Sequence, residues 1–160
     1  MSRRKRMKNS TFVLLLILIF QSSYAIVPLL AQNKQDAQEI KKVIEKFTES
    51  FAYHDLDSTM NQVSMNYSCT TCSDAKDYNT FKFKVQKRMR EILETYAGYS
   101  ISERRLNNLD IQDNNATVEA EVSWEGFNLD TLKEDSEKIK MRATLTKENG
   151  SWKITKLQYF

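Results

Sequence analysis

The sequence predicts an α+β domain in which three N-terminal helices pack on one face of a strongly curved antiparallel sheet. Three observations lead there. Apolar residues recur at helical spacing as far as Ala97. From Tyr99 onward the period changes to two. The alternating runs are joined by compact turn signals, "DNN" and "NG", which bring consecutive strands together antiparallel. A hydrophobic content of 41% with 11% aromatics is enough for a packed core, which excludes a globally disordered chain.

The first helix follows the polar connector "QNKQDAQ". Ile40, Val43, Ile44, Phe47 and Phe51 fall on one face, and Glu39, Lys41, Lys42, Glu45, Lys46 and Glu49 cover the rest. This helix is expected to end near "YHD". Asp55 then caps a short second helix through about Val63, with Leu56, Met60 and Val63 inward. The stretch "SMNYSCTTCSDAKDY" lacks a helical period and reads as a short hairpin. A third helix is expected from about Thr80 to Ala97, with Phe81, Val85, Met89, Ile92, Leu93 and Tyr96 as its apolar stripe and Gly98 past its end. Its basic residues Lys82, Lys84, Lys87, Arg88 and Arg90 read as a solvated face.

Four strands follow. The first runs from Tyr99 to about Ile111. In the second, Ala116, Val118, Ala120, Val122 and Trp124 alternate with Thr117, Glu119, Glu121, Ser123 and Glu125, the pattern of a half-buried strand. Gly126 to Glu134 is read as a loop. Ile139, Met141, Ala143 and Leu145 alternate again, Asn149-Gly150 makes a two-residue turn, and "SWKITKLQYF" supplies the last strand.

Charge is unevenly spread. Arg3, Arg4, Lys5, Arg6 and Lys8 precede the first acidic residue, Asp36; without these five the basic residues fall from 24 to 19, against 21 acidic ones. A mildly acidic domain has no electrostatic footprint for a nucleic acid. The basic segment and the apolar run "FVLLLILIF" form a leader over residues 1–31, ahead of a domain over 32–160. Ser23-Tyr24-Ala25 fits a signal cleavage site. Residues 12–31 are also about long enough for a retained membrane anchor, so the chain would touch a membrane only through an uncleaved leader. Both readings place the domain outside the cytoplasm, periplasmic or secreted.

Cys69 and Cys72 are the only cysteines. A redox pair of the strand–helix kind needs a parallel context that the alternating strands do not offer. Zinc needs about four ligands, and beside these thiols the chain has one distant histidine, His54. What remains is a local disulfide or two small thiols. Outside the cytoplasm the disulfide is favoured, with Thr70 and Thr71 as the centre of a turn that brings the flanking Cα atoms within bridging reach. No cofactor and no metal are expected.

The opening helix "IKKVIEKFTESFAYHDLDSTMNQVS", the helix "FKFKVQKRMREILETY" and the ending "MRATLTKENGSWKITKLQYF" resemble the nuclear transport factor 2-like superfamily, which includes SnoaL-like polyketide cyclases and ketosteroid isomerase. The resemblance covers Gln35 to Phe160. It implies a cone-shaped domain with a pocket at the wide end, and a homodimer formed through the outer sheet face. Enzymes of this kind carry a carboxylate base in the hairpin after the second helix. Here that region reads "NYSCTTCSD", with Asn66, Thr70 and Thr71 where an acid would be needed. The expected role is therefore an exported or anchored module binding a small apolar or anionic ligand or a partner segment, with an enzyme on a hydrophobic small molecule as the alternative.

Candidate residues are few. Tyr67, Trp124, Phe127, Met141 and Trp152 could line an apolar cavity or simply fill the core. Arg104 and Arg105, adjacent on a strand, point to opposite faces, so one turns inward. They either pair with Glu119 or Glu121 or recognise an anion. His54 reads as a favourable cation at a helix end, and Asp55 and Asp57 as a cap and a first-turn charge. No catalytic residue is assigned.

Overall fold

The computed structural model describes residues 32–72 and 75–160, and residues Ala37–Phe160 form one compact unit. The expected leader, residues 1–31 with its cleavage site or anchor, lies outside the described residues. Among the described residues no helix is long and apolar enough to cross a membrane. The order is α1 over 32–52, α2 over Leu56–Met60, α3 over Tyr78–Thr95, then β1 (Tyr96–Gln112), β2 (Asn115–Asn128), β3 (Lys133–Glu148) and β4 (Ser151–Tyr159). The strands pair antiparallel in sequence order. This is the α+β architecture expected.

Each helix starts and stops for a local reason. Helix α1 ends in a Schellman motif: Asp55 N donates to Ser50 O at 2.9 Å and His54 N to Phe51 O at 3.1 Å. His54 sits at the left-handed position of that motif, φ 59°, where glycine or asparagine is usual. Burial lowers its pKa and so disfavours the helix-end cation that the sequence implied. Asp55 caps α2 by accepting from Ser58 N at 3.0 Å. Asp77 caps α3 through a reciprocal pair with Thr80, and so moves the start of α3 two residues before the expected Thr80. Helix α3 also ends earlier than expected, at Thr95. Tyr96 is already extended, and Gly98 takes its φ of 67° inside β1, at a register shift between Ala97 and Ser100. Gly98 thus serves a bulge and not a helix end.

The expected loop from Gly126 to Glu134 is mostly strand. β2 runs on to Asn128, β3 begins at Lys133, and only Leu129–Leu132 turn. Asn128 makes this possible. Its side-chain oxygen accepts from Asp130 N and Thr131 N at 2.9 and 3.0 Å, and its amide donates to Asp135 at 2.7 Å. At the opposite end Asn149 and Gly150, φ 50° and 81°, form the two-residue turn the sequence indicated.

The core lies between α1, α3 and the inner face of the sheet. Ile40, Ile44 and Phe47 of α1 and Phe81, Val85, Met89 and Ile92 of α3 are buried. On the sheet, small residues face large ones: Ala116 opposes Leu145, Val118 opposes Ala143 and Ala120 opposes Met141, all of them buried. Such alternation fills space without strain. Register shifts bend β1 at three places and break the β3–β4 ladder once, between Thr144 and Leu145.

That last break has a use. It leaves Thr155 of β4 without a register partner on β3, though its hydroxyl donates to Thr144 O at 3.2 Å, and Thr155 O accepts from Ser68 N at 2.9 Å. Ser64 N and Gln62 O bond Ile154 in the same way, so residues 62–68 cover the free edge of β4. The chain then forms the expected short hairpin, with Ser68 bridged to Asp77 and Cys69 N donating to Lys76 O at 3.0 Å. At its tip Cys72 N donates to Cys69 O across Thr70-Thr71, and the two cysteines are joined by a disulfide, with Cα atoms 5.3 Å apart.

Three outcomes follow from these local devices. Leu132 holds a φ of 57° while 70% exposed, a backbone state that costs a branched side chain about 1 kcal/mol. Leu132→Asn should therefore raise Tm in calorimetry, and a lowered Tm would contradict the assignment. Opening a ring of this size should lower unfolding free energy by at most about 2 kcal/mol, measured by urea denaturation with and without reductant. Chemical denaturation should also show stability declining as pH falls below the unfolded-state value near 6.5, because unfolded His54 binds the proton more readily than the folded residue. His54→Asn keeps the left-handed backbone, removes the sole histidine and should flatten that limb.

Candidate functional site

A cavity of about 370 Å³ opens between α1, α3 and the inner face of the sheet. Helix α1 contributes its last turns, Phe47, Thr48, Phe51 and Ala52. Helix α3 contributes Phe81, Lys84, Val85, Arg88 and Ile92, whose spacing of three, one, three and four keeps them on one face. The sheet supplies alternate residues of each strand, as a pleat must: Tyr99 and Ile101, then Val122 and Trp124, then Glu137, Ile139 and Met141. Tyr159, at the end of β4, completes the wall.

The wall is aromatic where the elements converge. Trp124 meets Tyr99 at 4.8 Å and Tyr96 edge-on at 5.2 Å. Phe81 stacks on Tyr67 at 4.5 Å and lies 6.4 Å from Phe47. Charge is confined to residues whose outer parts reach solvent: Lys84, Arg88 and Glu137 are all exposed. Arg88 also meets Glu91 on its own helix at 3.3 Å, an exposed pair of small energetic value.

Two phenols face this space. Burial pushes the Tyr99 hydroxyl up to about 12; Arg88 opposes that shift and Glu137 adds to it, so both charges act on the same oxygen. Burial likewise raises Tyr159, with Tyr67 and Tyr99 adding to it. Tyr159 keeps 56% of its surface accessible and is one of the residues lining the cavity. Both phenols therefore stay neutral donors across the ordinary pH range. The ring of His54 lies 6.2 Å from that of Tyr99, and its Nε2 is buried without a hydrogen-bond partner among the described residues.

Of the residues singled out from the sequence, the structure brings Trp124 and Met141 to the cavity and puts the others elsewhere. Tyr67 is buried behind Phe81, donating to Leu157 O at 3.4 Å and accepting from Leu157 N at 3.3 Å. Trp152 is buried beyond the cavity wall, beside the β3–β4 turn, with Lys147 over its ring. Phe127 has the parity of Glu125 and Ser123 and so belongs to the outer face. Arg104 and Arg105 are exposed on edge strand β1. Arg105 pairs with Glu103 of its own strand at 2.7 Å, while Glu119 is engaged by Arg142 and Asn108 and Glu121 by Lys138. The two arginines do alternate: Arg104 opposes Val122 and has the inner parity, Arg105 opposes Glu121 and has the outer one, but Arg104 is exposed at the sheet edge and is not among the residues lining the cavity. Asp77 is occupied as a helix cap, and Asp74 lies outside the described residues.

Sequence reasoning missed Lys84, Arg88, Glu137, Tyr99 and Tyr159. Glu137 carried a signal, since it stands two residues before Ile139 and shares its parity. Arg88 follows Val85 by three, on the border of the stripe. Tyr99 and Tyr159 stand at the beginning and end of strands, where periodicity is weakest.

No family model and no curated protein matches this chain, but solved structures do. One is a nuclear transport factor 2-like superfamily protein from Salmonella enterica serovar Typhimurium, 15% identical, covering 80% of this chain and 92% of that one with a TM-score of 0.59. A second is a ketosteroid isomerase-like protein from Erwinia carotovora atroseptica, 12% identical, covering 75% and 91% with a TM-score of 0.57. A third is a protein of unknown function with a cystatin-like fold from Nostoc punctiforme, 18% identical, covering 78% and 90% with a TM-score of 0.53. Identities this low speak to architecture and not to chemistry. Three helices, an ordered four-stranded sheet and an open cavity between them, together with these likenesses, make this a nuclear transport factor 2-like fold.

Proposed function

We propose that the domain is a non-catalytic module that works outside the cytoplasm and holds a small, mainly apolar ligand in the cavity. The cavity itself carries this reading. Its volume, about 370 Å³, falls within the range of roughly 300–1,000 Å³ typical of small-molecule pockets. Its walls are aromatic and aliphatic, and a few polar groups converge at the opening, the pattern of binding sites generally.

The disposition of acids supports binding over turnover. Asp55 and Asp77 are engaged as caps, and Glu119 and Glu121 are tied to cations across the outer face. Among the described lining residues Glu137 is the one carboxylate, and it is exposed. A general base works best within hydrogen-bond reach of its proton and with a tuned pKa. The disulfide supports an oxidising compartment, and the basic-then-apolar leader supports export or anchoring.

A second reading, an isomerase-like enzyme acting on a hydrophobic small molecule, draws on the ketosteroid isomerase-like neighbour and on one observation. Glu137 acts on the Tyr99 hydroxyl, so a carboxylate and a neutral phenol share the opening. Turnover of an enolisable ketone, abolished by Glu137→Gln, would favour that reading over ours.

Titration calorimetry with 4-phenylbutanol tests the binding reading. Saturable binding should occur, and Val122→Phe, which fills the cavity from β2, should weaken it by about tenfold or more. Saturable binding that ignores this substitution would place the ligand elsewhere and overturn the proposal.

A further inference from the structure

The apolar wall explains why a hydrophobic body would enter the cavity, but not the groups gathered at its opening. Arg88 comes from α3, Tyr99 from the start of β1 and Glu137 from β3. The charges of Arg88 and Glu137 both act on the Tyr99 hydroxyl. One helix and two strands thus bring a cation, a phenol and a carboxylate to the same cavity, the two ions on its solvent-exposed side.

We propose that the ligand is an amphipathic monocarboxylate, with its apolar body against Trp124 and Phe81 and its carboxylate on the Arg88 guanidinium beside the Tyr99 hydroxyl. This inference rests on the reading of the cavity as a binding site and goes further by naming the head group.

Three features select that head group. A guanidinium presents two parallel N–H donors that match the two oxygens of a carboxylate. Arg88 is available for it, because its exposed contact with Glu91 is worth little and can be exchanged at small cost. A phenol that remains protonated adds a third donor, whereas a cationic ligand would meet Arg88 itself. Glu137 limits the charge on the other side. A dianionic phosphate would be repelled by it more strongly than a single carboxylate, which keeps the preference to one negative charge.

The experiment compares 4-phenylbutyrate with 4-phenylbutanol by calorimetry at neutral pH and low salt, using the full chain. Trp124 lines the cavity, so its emission gives a second readout. The acid should bind about tenfold or more tightly than the alcohol, the gain expected of a charge-assisted hydrogen bond, and added salt should erode that ratio. Arg88→Gln should collapse the ratio to about one, while Arg90→Gln, on the same helix but away from the cavity, should preserve it. Circular dichroism confirms that both variants fold. Equal affinity for acid and alcohol overturns the head-group inference and leaves the cavity reading standing. A preference that survives Arg88→Gln overturns the assignment to Arg88. If neither compound binds, the cavity reading falls and this inference falls with it.

Discussion

The fold depends on one packing constraint: the apolar stripe of α3 must be covered by a sheet whose strands are bent. On one flank aromatic rings meet. Phe81 is held between Tyr67 and Phe47, and Tyr67 is in turn fixed by two hydrogen bonds to Leu157. On the other flank Val85 and Ile92 face Val122, Ile139 and Met141 across open space, since all five line the same cavity. Register shifts interrupt the β1–β2 ladder at three places on the same sheet. The core thus packs ring against ring at one end of the α3 stripe and stays open along the rest.

The same bending sets what the two faces of the sheet can do. The outer face is a lattice of opposed charges, Glu119 with Arg142 and Glu121 with Lys138, in which like charges rarely meet across strands. These pairs are exposed, so each contributes little to stability, and their effect is to keep that face solvated. Edges are managed separately. Residues 62–68 cover β4, while β1 is broken by shifts and carries Glu103, Arg104 and Arg105. The hairpin with the disulfide hangs from the segment that covers β4. Bridging Cys69 to Cys72 therefore stiffens the part of the chain that fixes Tyr67, and through Tyr67 the position of Phe81.

How much of this was legible in the residues depends on how local the cause was. The helices, the alternating strands β2 and β3, and the Asn149-Gly150 turn were readable because each rests on spacing within a few residues. The disulfide turn was readable for the same reason. Gly98 misled, since a glycine after a helical stripe suggests a cap, whereas the chain passes into a strand and uses the glycine for a bulge. The tight turn after Asn128 was hidden because it depends on one side chain satisfying three partners, which no period reveals. At the site, Trp124 and Met141 could be found by alternation, and alternation also separates Arg104 from Arg105, but it does not reveal that Arg104 sits exposed at the sheet edge, outside the cavity lining. Arg88 was legible only as a border residue, and what it borders is decided by the sheet.

The arrangement of polar groups follows from the cost of charge in such a space. Removing an ion from water is expensive unless a partner comes with it, whereas a phenol can be enclosed for much less. This chain places phenols on the wall and leaves ions at the opening, where each keeps part of its hydration. Raising the Tyr99 pKa is the same economy seen from the other side: enclosure that disfavours the phenolate keeps the proton available for donation. Phenols enclosed in this way can offer hydrogen bonds over a wide pH range. Among the described lining residues Glu137 is the one carboxylate, so a general base, if the wall had to supply one, would be sought there and not among the phenols.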